Sequence, residues 1–137
     1  MSNDIVVGID GSANSRRALT WALDEAQLRD CRVRAVLTWS FLGESGTELG
    51  PKTTEADARA LLDAVLAETA GERSDLVDTV ILNDLPADGL LGQAADAALV
   101  VVGSRGRGKI KGLFMGSVSR TVVERSPVPV VVVPHQP

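Results

Sequence analysis

The residues best suited to chemistry lie between positions 100 and 119, in the segment VVVGSRGRGKIKGLFMGSVS. This segment leaves an apolar run, contains five glycines and four basic side chains, and then enters a predicted helix. Glycine lets the backbone approach a ligand closely, and the N-terminus of a helix attracts phosphate through its unpaired N–H groups. The order strand, glycine-rich turn, helix therefore indicates an anion site.

Two common phosphate motifs each fail in this segment by one position. The P-loop pattern requires Ser or Thr after its lysine, where this chain has Ile110. The dinucleotide pattern requires a third glycine where this chain has Lys111. Both interpretations are rejected.

The same segment does contain two glycine clusters separated by a spacer with helical apolar spacing. Gly103 and Gly106 follow the predicted strand directly, whereas Gly116 precedes Ser117 and Val118 at the start of the last predicted helix. A docked spacer would hold both clusters around one polyphosphate. Ser117 adds a hydroxyl donor, and the guanidinium groups of the segment can pair with phosphate oxygens.

The elements that position these residues alternate along the chain. Apolar runs predict five strands, and periodic stretches between them predict helices beginning near Ser15, Thr54, Pro86 and Ser117. The predicted strands are residues 5–9, 33–40, 77–82, 98–102 and 128–133. This alternation predicts one α/β domain over residues 1–137, a three-layer sandwich around a parallel sheet, with a mobile polar loop at about 43–54.

A ligand in such a sheet binds beyond the carboxyl ends of the strands, where the winding direction reverses. If the strand order is 3-2-1-4-5, the first and fourth strands are neighbours at that point. Asp10, in GIDGS after the first strand, and GSRGRG after the fourth would then line one crevice. Asp10 has an alternative role as a capping residue of its own turn.

Composition excludes several classes of function. The net charge is −4 and aromatic residues make up 3%, which disfavours general binding of nucleic acid or anionic lipid and stacking of single strands. With one cysteine, Cys31, and one histidine, His135, the chain lacks the side chains of a zinc site. No signal peptide or membrane span is predicted, and we expect a cytoplasmic protein.

The pattern Gly103-x-x-Gly106-(nine residues)-Gly116-Ser117 resembles the nucleotide-binding motif of the universal stress protein family. The segments VVGIDGSANSRRALTWAL and SPVPVVVVP are also similar to that family, so the resemblance covers nearly the whole chain. It implies a Rossmann-like, adenine nucleotide alpha hydrolase-like fold with strand order 3-2-1-4-5. It also implies that ATP is bound, with Mg²⁺ or Mn²⁺ able to accompany the nucleotide.

The resemblance also implies a role for each matching residue. Asp10 would contact the adenosine end, and Gly8 and Trp39 would line the base. The ribose and phosphates would contact the two glycine clusters and nearby guanidinium groups, namely Gly103, Arg105, Gly106, Arg107, Gly116, Ser117 and Val118. A homodimer would form through the last strand, from Val128 to Val133.

We therefore predict an ATP-binding regulatory module of the stress response, whose protein partner the sequence does not identify. No catalytic residue and no metal ligand of the protein are assigned. Two alternatives stay open: a slow ATPase or nucleotidyl or phosphoryl transferase on the same fold, and an AMP- or cyclic AMP-sensing protein or nucleotide-independent scaffold.

Overall fold

The computed structural model describes residues 2–39, 54–105 and 115–136, and contains a five-stranded parallel sheet. The strands are β1 (Ile5–Gly8), β2 (Val33–Trp39), β3 (Val77–Asn83), β4 (Leu99–Gly103) and β5 (Val130–Val133). The helices are α1 (Ala13–Arg29), α2 (Glu55–Val65), α3 (Pro86–Ala94) and α4 (Ser117–Arg125). A π-helical turn and a 3-10 helix, Leu66–Ala70 and Gly71–Leu76, connect α2 to β3.

The order of the strands in the sheet is β3-β2-β1-β4-β5, and all four neighbouring pairs are parallel. The predicted order 3-2-1-4-5 is thus confirmed. β1 and β4 consist of apolar residues and a terminal glycine, and β2 departs from this pattern only at Arg34 and Thr38, as expected for strands covered by helices on both faces.

Two apolar clusters, one on each face of the sheet, make up the core. Ile5 and Val7 of β1 pack with α1 and α2, whereas Val6 of the same strand packs with α3 and α4. Because successive strand residues point to opposite faces, this alternation produces the predicted three layers.

The helices begin where short polar side chains can cap them. Thr54 and Asp57 form a capping box at the predicted start of α2, with the Asp57 N–H donating to Thr54 Oγ1 at 3.2 Å. α1 begins two residues before the predicted Ser15, because the Ser12 hydroxyl accepts the Ser15 N–H at 3.1 Å.

The last strand is shorter than predicted. Its regular part begins at Val130, because the Val128 N–H donates to Ser126 Oγ and Pro129 has no N–H to donate. The Pro129 carbonyl still accepts the Val100 N–H at 3.0 Å. Proline therefore stands at the entry of an edge strand, where its missing donor interrupts no hydrogen bond of a central ladder.

At the amino-terminal ends of the strands, Arg34 of β2 forms ion pairs with residues that precede β1 and β4. Its guanidinium lies 2.9 Å from an Asp96 carboxylate oxygen and 3.2 Å from Asp4. The hydrogen bond from Arg34 holds the pKa of Asp96 below its ordinary value. Ser2, whose N–H donates to the Asp96 carbonyl, is fixed in the same cluster.

The predicted mobile loop, at 43–54, lies outside the described residues apart from Thr54. Across the three described ranges, the helices are too short or too polar to cross a bilayer.

Candidate functional site

The candidate site lies where β1 and β4 run side by side. Ile5 of β1 is in register with Leu99 of β4, and Val7 is in register with Val101. The chain leaves β1 toward β2 on one side, whereas β4 continues to β5 on the other. The carboxyl ends of β1 and β4 therefore flank the point where the winding reverses, which is the usual ligand position in such sheets.

After β1 the chain turns sharply into α1. Gly11 has φ of 83°, a left-handed conformation that glycine adopts without steric cost. Asp10 stabilises this turn, because its Oδ1 accepts the Ser12 N–H at 2.8 Å. Among the described residues no hydrogen bond reaches Asp10 Oδ2, so the carboxylate can hold the turn and still present an oxygen to a ligand.

After β4, Ser104 makes hydrogen bonds to residues of several other elements. Its N–H donates to the Val133 carbonyl of β5 at 2.9 Å, and its carbonyl accepts the Gly116 N–H at 2.6 Å. Its fully buried hydroxyl accepts the His135 N–H at 3.1 Å and lies 3.3 Å from Asn14 Oδ1. Ser104 thus fixes the end of β4 against α1, α4 and the C-terminal segment.

The bond between Ser104 and Gly116 brings Gly103 of the first predicted glycine cluster close to Gly116 of the second. Ser119 strengthens it, because its hydroxyl reaches the Ser104 carbonyl at 3.0 Å. As a result, the start of α4 lies beside the end of β4, although more than ten residues separate them in sequence.

The N-terminus of α4 has the properties of an anion site. Gly116 precedes the helix with φ of −76° and no side chain caps the first turn. Ser117 is exposed and Val118 is half-buried. The first-turn N–H groups and the Ser117 hydroxyl are therefore the donors that a phosphate would need.

Two of the predicted site glycines fit tightly against side chains of the protein itself. A Cβ on Gly103 would lie 2.7 Å from Asn14 Cγ, and a Cβ on Gly8 would lie 3.0 Å from Leu90 Cδ1. Close packing within the fold is thus one physical reason for glycine at each position.

The remaining predicted site residues lie at the same edge or outside the described ranges. Trp39 ends β2, which neighbours β1, and its carbonyl accepts the Asp84 N–H at 3.0 Å. The Arg105 N–H donates to Asn14 Oδ1 at 2.7 Å. Gly106 and Arg107 lie outside the described residues.

Sequence reasoning missed the buried polar residues that hold this edge together: Asn14, Ser104 and Ser119. It considered His135 only as a possible zinc ligand, whereas the His135 N–H donates to the Ser104 hydroxyl. The one available signal was the cluster of small polar residues around Asp10 and Gly103, which predicted turns and caps rather than long-range contacts.

The ends of β1 and β4 combine the Asp10 carboxylate with positive groups. Asp10 lies at the β1 end, whereas Arg105 and the N-terminus of α4 lie at the β4 end. This polarity suits a ligand with an anionic end beside α4 and a hydroxyl-bearing end beside Asp10. Within the described ranges, the side chains that ligate metals form no cluster of three or more.

Comparison with known proteins identifies a family. The model of the universal stress protein family matches residues 1–134. A universal stress protein of Mycobacterium tuberculosis is 37% identical over 142 residues, covering 97% of this chain and 45% of its own length. The chain therefore spans less than half the length of this relative.

Solved structures of similar proteins contain adenine nucleotides. A universal stress protein in complex with cAMP is 25% identical with a TM-score of 0.69, covering 96% of both chains. A universal stress protein of Archaeoglobus fulgidus in complex with dAMP is 25% identical with a TM-score of 0.65, covering 95% of this chain and 96% of its own.

Proposed function

This chain belongs to the universal stress protein family, and on that premise we propose that it is a nucleotide-dependent regulatory module that binds ATP. The adenosine end would lie toward Gly8, Asp10 and Trp39. The phosphates would lie along the segment after β4 and at the start of α4. Gly106, which the sequence motif includes, and the neighbouring Arg107 would complete the site.

The observation that carries this proposal is the short hydrogen bond from Gly116 to Ser104. It supports a phosphate site because it holds an uncapped helix N-terminus beside Arg105, at the switch point of the sheet. The cAMP and dAMP bound by the two neighbours support adenine nucleotide as the ligand class.

ATP would hold the module in one conformation or leave a partner surface exposed, without efficient turnover. Rapid phosphoryl transfer needs a placed base and charge-stabilising groups. Beside the ends of β1 and β4, Asp10 and His135 are candidates for a base, and each side chain is already engaged in part: Asp10 Oδ1 accepts the Ser12 N–H, and His135 Nδ1 lies 3.4 Å from the Ser104 hydroxyl. Any hydrolysis is accordingly expected to be slow.

Isothermal titration with ATP tests the proposal. Gly116→Leu should abolish ATP binding, because its side chain would occupy the approach to the first turn of α4. Since φ of Gly116 is −76°, the substitution does not force an unfavourable backbone angle. Gly92→Leu is the matched control, because a Cβ at Gly92 meets no atom within 4 Å.

Two results would overturn the proposal. One is the absence of binding heat for ATP, AMP and cyclic AMP with the unmodified chain. The other is an equal ATP affinity in Gly116→Leu and the unmodified chain.

A second candidate function is sensing of AMP or cyclic AMP, which the monophosphates in the two neighbours favour. The same titration separates the candidates. If contacts at α4 to the outer phosphates add binding energy, ATP should bind about tenfold more tightly than AMP, as one charge-assisted hydrogen bond would provide. Equal or tighter binding of the monophosphates would favour sensing.

We also propose a homodimer in which β5 pairs across the subunit boundary. β5 is an edge strand, and Val130, Val131 and Val132 are only half-buried in the single chain. An apolar edge with unpaired backbone groups favours addition of another strand.

A further inference from the structure

Asn14 is a buried polar residue whose hydrogen bonds lie outside its own helix. It occupies the first turn of α1 and is 6% exposed. Its Nδ2 donates to the Val133 carbonyl at 3.0 Å, and its Oδ1 accepts the Arg105 N–H at 2.7 Å. The Ser104 hydroxyl lies 3.3 Å from the same Oδ1.

α1 does not need Asn14 for capping. Ser12 already accepts the Ser15 N–H, and the Asp10 carboxylate accepts the Ser12 N–H. The amide of Asn14 is instead directed at the ends of β4 and β5. A buried amide with both of its polar atoms bonded fixes its neighbours, because breaking either bond leaves a polar group unpaired.

Gly103 leaves the space that the side-chain amide of Asn14 occupies. A Cβ at position 103 would lie 2.7 Å from Asn14 Cγ and 2.8 Å from Asn14 Oδ1, closer than real Cβ contacts allow. The absence of a side chain at Gly103 therefore makes room for the amide, which in turn holds the Arg105 N–H. Gly103 and Asn14 form a matched pair.

This pair controls the direction in which the chain leaves β4. Arg105 is the first residue beyond Ser104, and its N–H points to Asn14 rather than into the crevice. The Ser104 carbonyl, immediately before it, points to Gly116 and Ser119 of the α4 N-terminus. Asn14 and α4 thus bind opposite sides of the same peptide unit.

We propose that Asn14 is the positioning residue of the nucleotide site: by fixing the Ser104–Arg105 peptide against α4, it sets the affinity for the nucleotide phosphates. This role rests on the proposed function. Asn14 acts through the backbone of Ser104 and Arg105. A merely structural asparagine would stabilise the fold without changing ligand affinity.

The experiment compares Asn14→Ala with Val65→Ala, a core truncation in α2 away from the site. Both variants should lose stability. Nucleotide affinity is measured by titration at a temperature where each variant is fully folded. Asn14→Ala should weaken ATP binding about tenfold or more, as expected for one misplaced charge-assisted contact, whereas Val65→Ala should bind like the unmodified chain.

Hydrogen exchange without nucleotide gives a second measurement. In Asn14→Ala the Arg105 amide has lost its acceptor, so its exchange should accelerate relative to the Val65→Ala protein. If Asn14→Ala alone does not fold, Asn14→Ala combined with Gly103→Ala fills the vacated space with a methyl group. The double variant should fold and still bind ATP weakly.

The outcomes separate the two proposals. Failure of the unmodified chain to bind any adenine nucleotide contradicts the proposed function. ATP binding that is unchanged in Asn14→Ala or in the double variant, or Arg105 exchange that is unchanged, contradicts the role of Asn14 alone. Equal loss of affinity in Val65→Ala would also contradict it, because the effect would then follow stability.

Discussion

At the residue scale, the neighbours of Gly8 and Gly103 differ in how easily they can move. The nearest atoms to a Cβ at Gly8 are the terminal methyl groups of Leu90, at 3.0 and 3.3 Å. The nearest atoms at Gly103 belong to the amide of Asn14, which hydrogen bonds hold in place. A methyl group at the two positions should therefore have unequal effects.

Gly103→Ala is expected to lower the free energy of unfolding by about 1–3 kcal/mol, the usual cost of overpacking. Gly8→Ala should cost less, because the end of the Leu90 side chain can rotate away. Urea denaturation of both variants measures the difference. A larger loss in Gly8→Ala would show that Asn14 is not rigidly held.

Gly103, Gly116 and Ser117 could be proposed as site residues from sequence because their spacing is local. Asn14 could not, because its partner Val133 is 119 residues away and nothing in SANSRR distinguishes a capping residue from a bridging one. Buried polar contacts depend on which strand ends meet. These contacts cannot be predicted from the sequence before the strand order is known.

At the element scale, the start of α2 was predictable because the capping box is a pattern of near neighbours. Thr54 and Asp57 stand three residues apart, and each binds the backbone N–H of the other. The start of α1 was predicted two residues late. The segment SANS contains three candidate caps, Ser12, Asn14 and Ser15, and only the structure identifies Ser12 as the cap. Element type was therefore easier to predict than element boundaries.

Thr54→Ala should lower the free energy of unfolding by about 1 kcal/mol, the typical loss for an N-cap hydroxyl. Thr54→Ser keeps the hydroxyl and should stay close to the unmodified chain. Thermal or urea unfolding of the two variants provides the comparison. If both variants lose the same stability, the methyl group of Thr54 contributes rather than its hydrogen bond.

At the scale of the whole molecule, β5 presents its outward backbone groups to the open edge of the sheet. The carbonyls of Pro129 and Val133 accept hydrogen bonds from β4 and the residue after it. Because backbone direction alternates along a strand, Val131 also faces β4, whereas Val130 and Val132 face away. The proposed dimer would use the outward backbone groups of Val130 and Val132.

Val132→Pro is expected to convert the dimer to a monomer, because it removes an outward N–H and keeps the pairing of β5 with β4. Val131→Pro is the contrasting variant, since it removes an N–H directed at β4 and should destabilise the fold itself. Sedimentation analysis gives the mass, and thermal unfolding gives the stability. A Val132→Pro protein that remains dimeric would contradict strand pairing at this edge.

The strand order was the assumption on which the predicted site depended, and the sheet confirms it. Alternating strand and helix patterns fix the class of fold, and right-handed crossovers restrict the topology. They do not specify which residue of each strand end points into the crevice. Asp10 illustrates this, because one of its oxygens stabilises its own turn.

The bond from Gly116 to Ser104 has an evolutionary consequence. It joins two backbone groups, the Ser104 carbonyl and the Gly116 N–H, so this contact between the end of β4 and the start of α4 needs no particular side chain at either position. Substitutions between these two anchors can diversify ligand preference between descendants while the backbone contact stays the same.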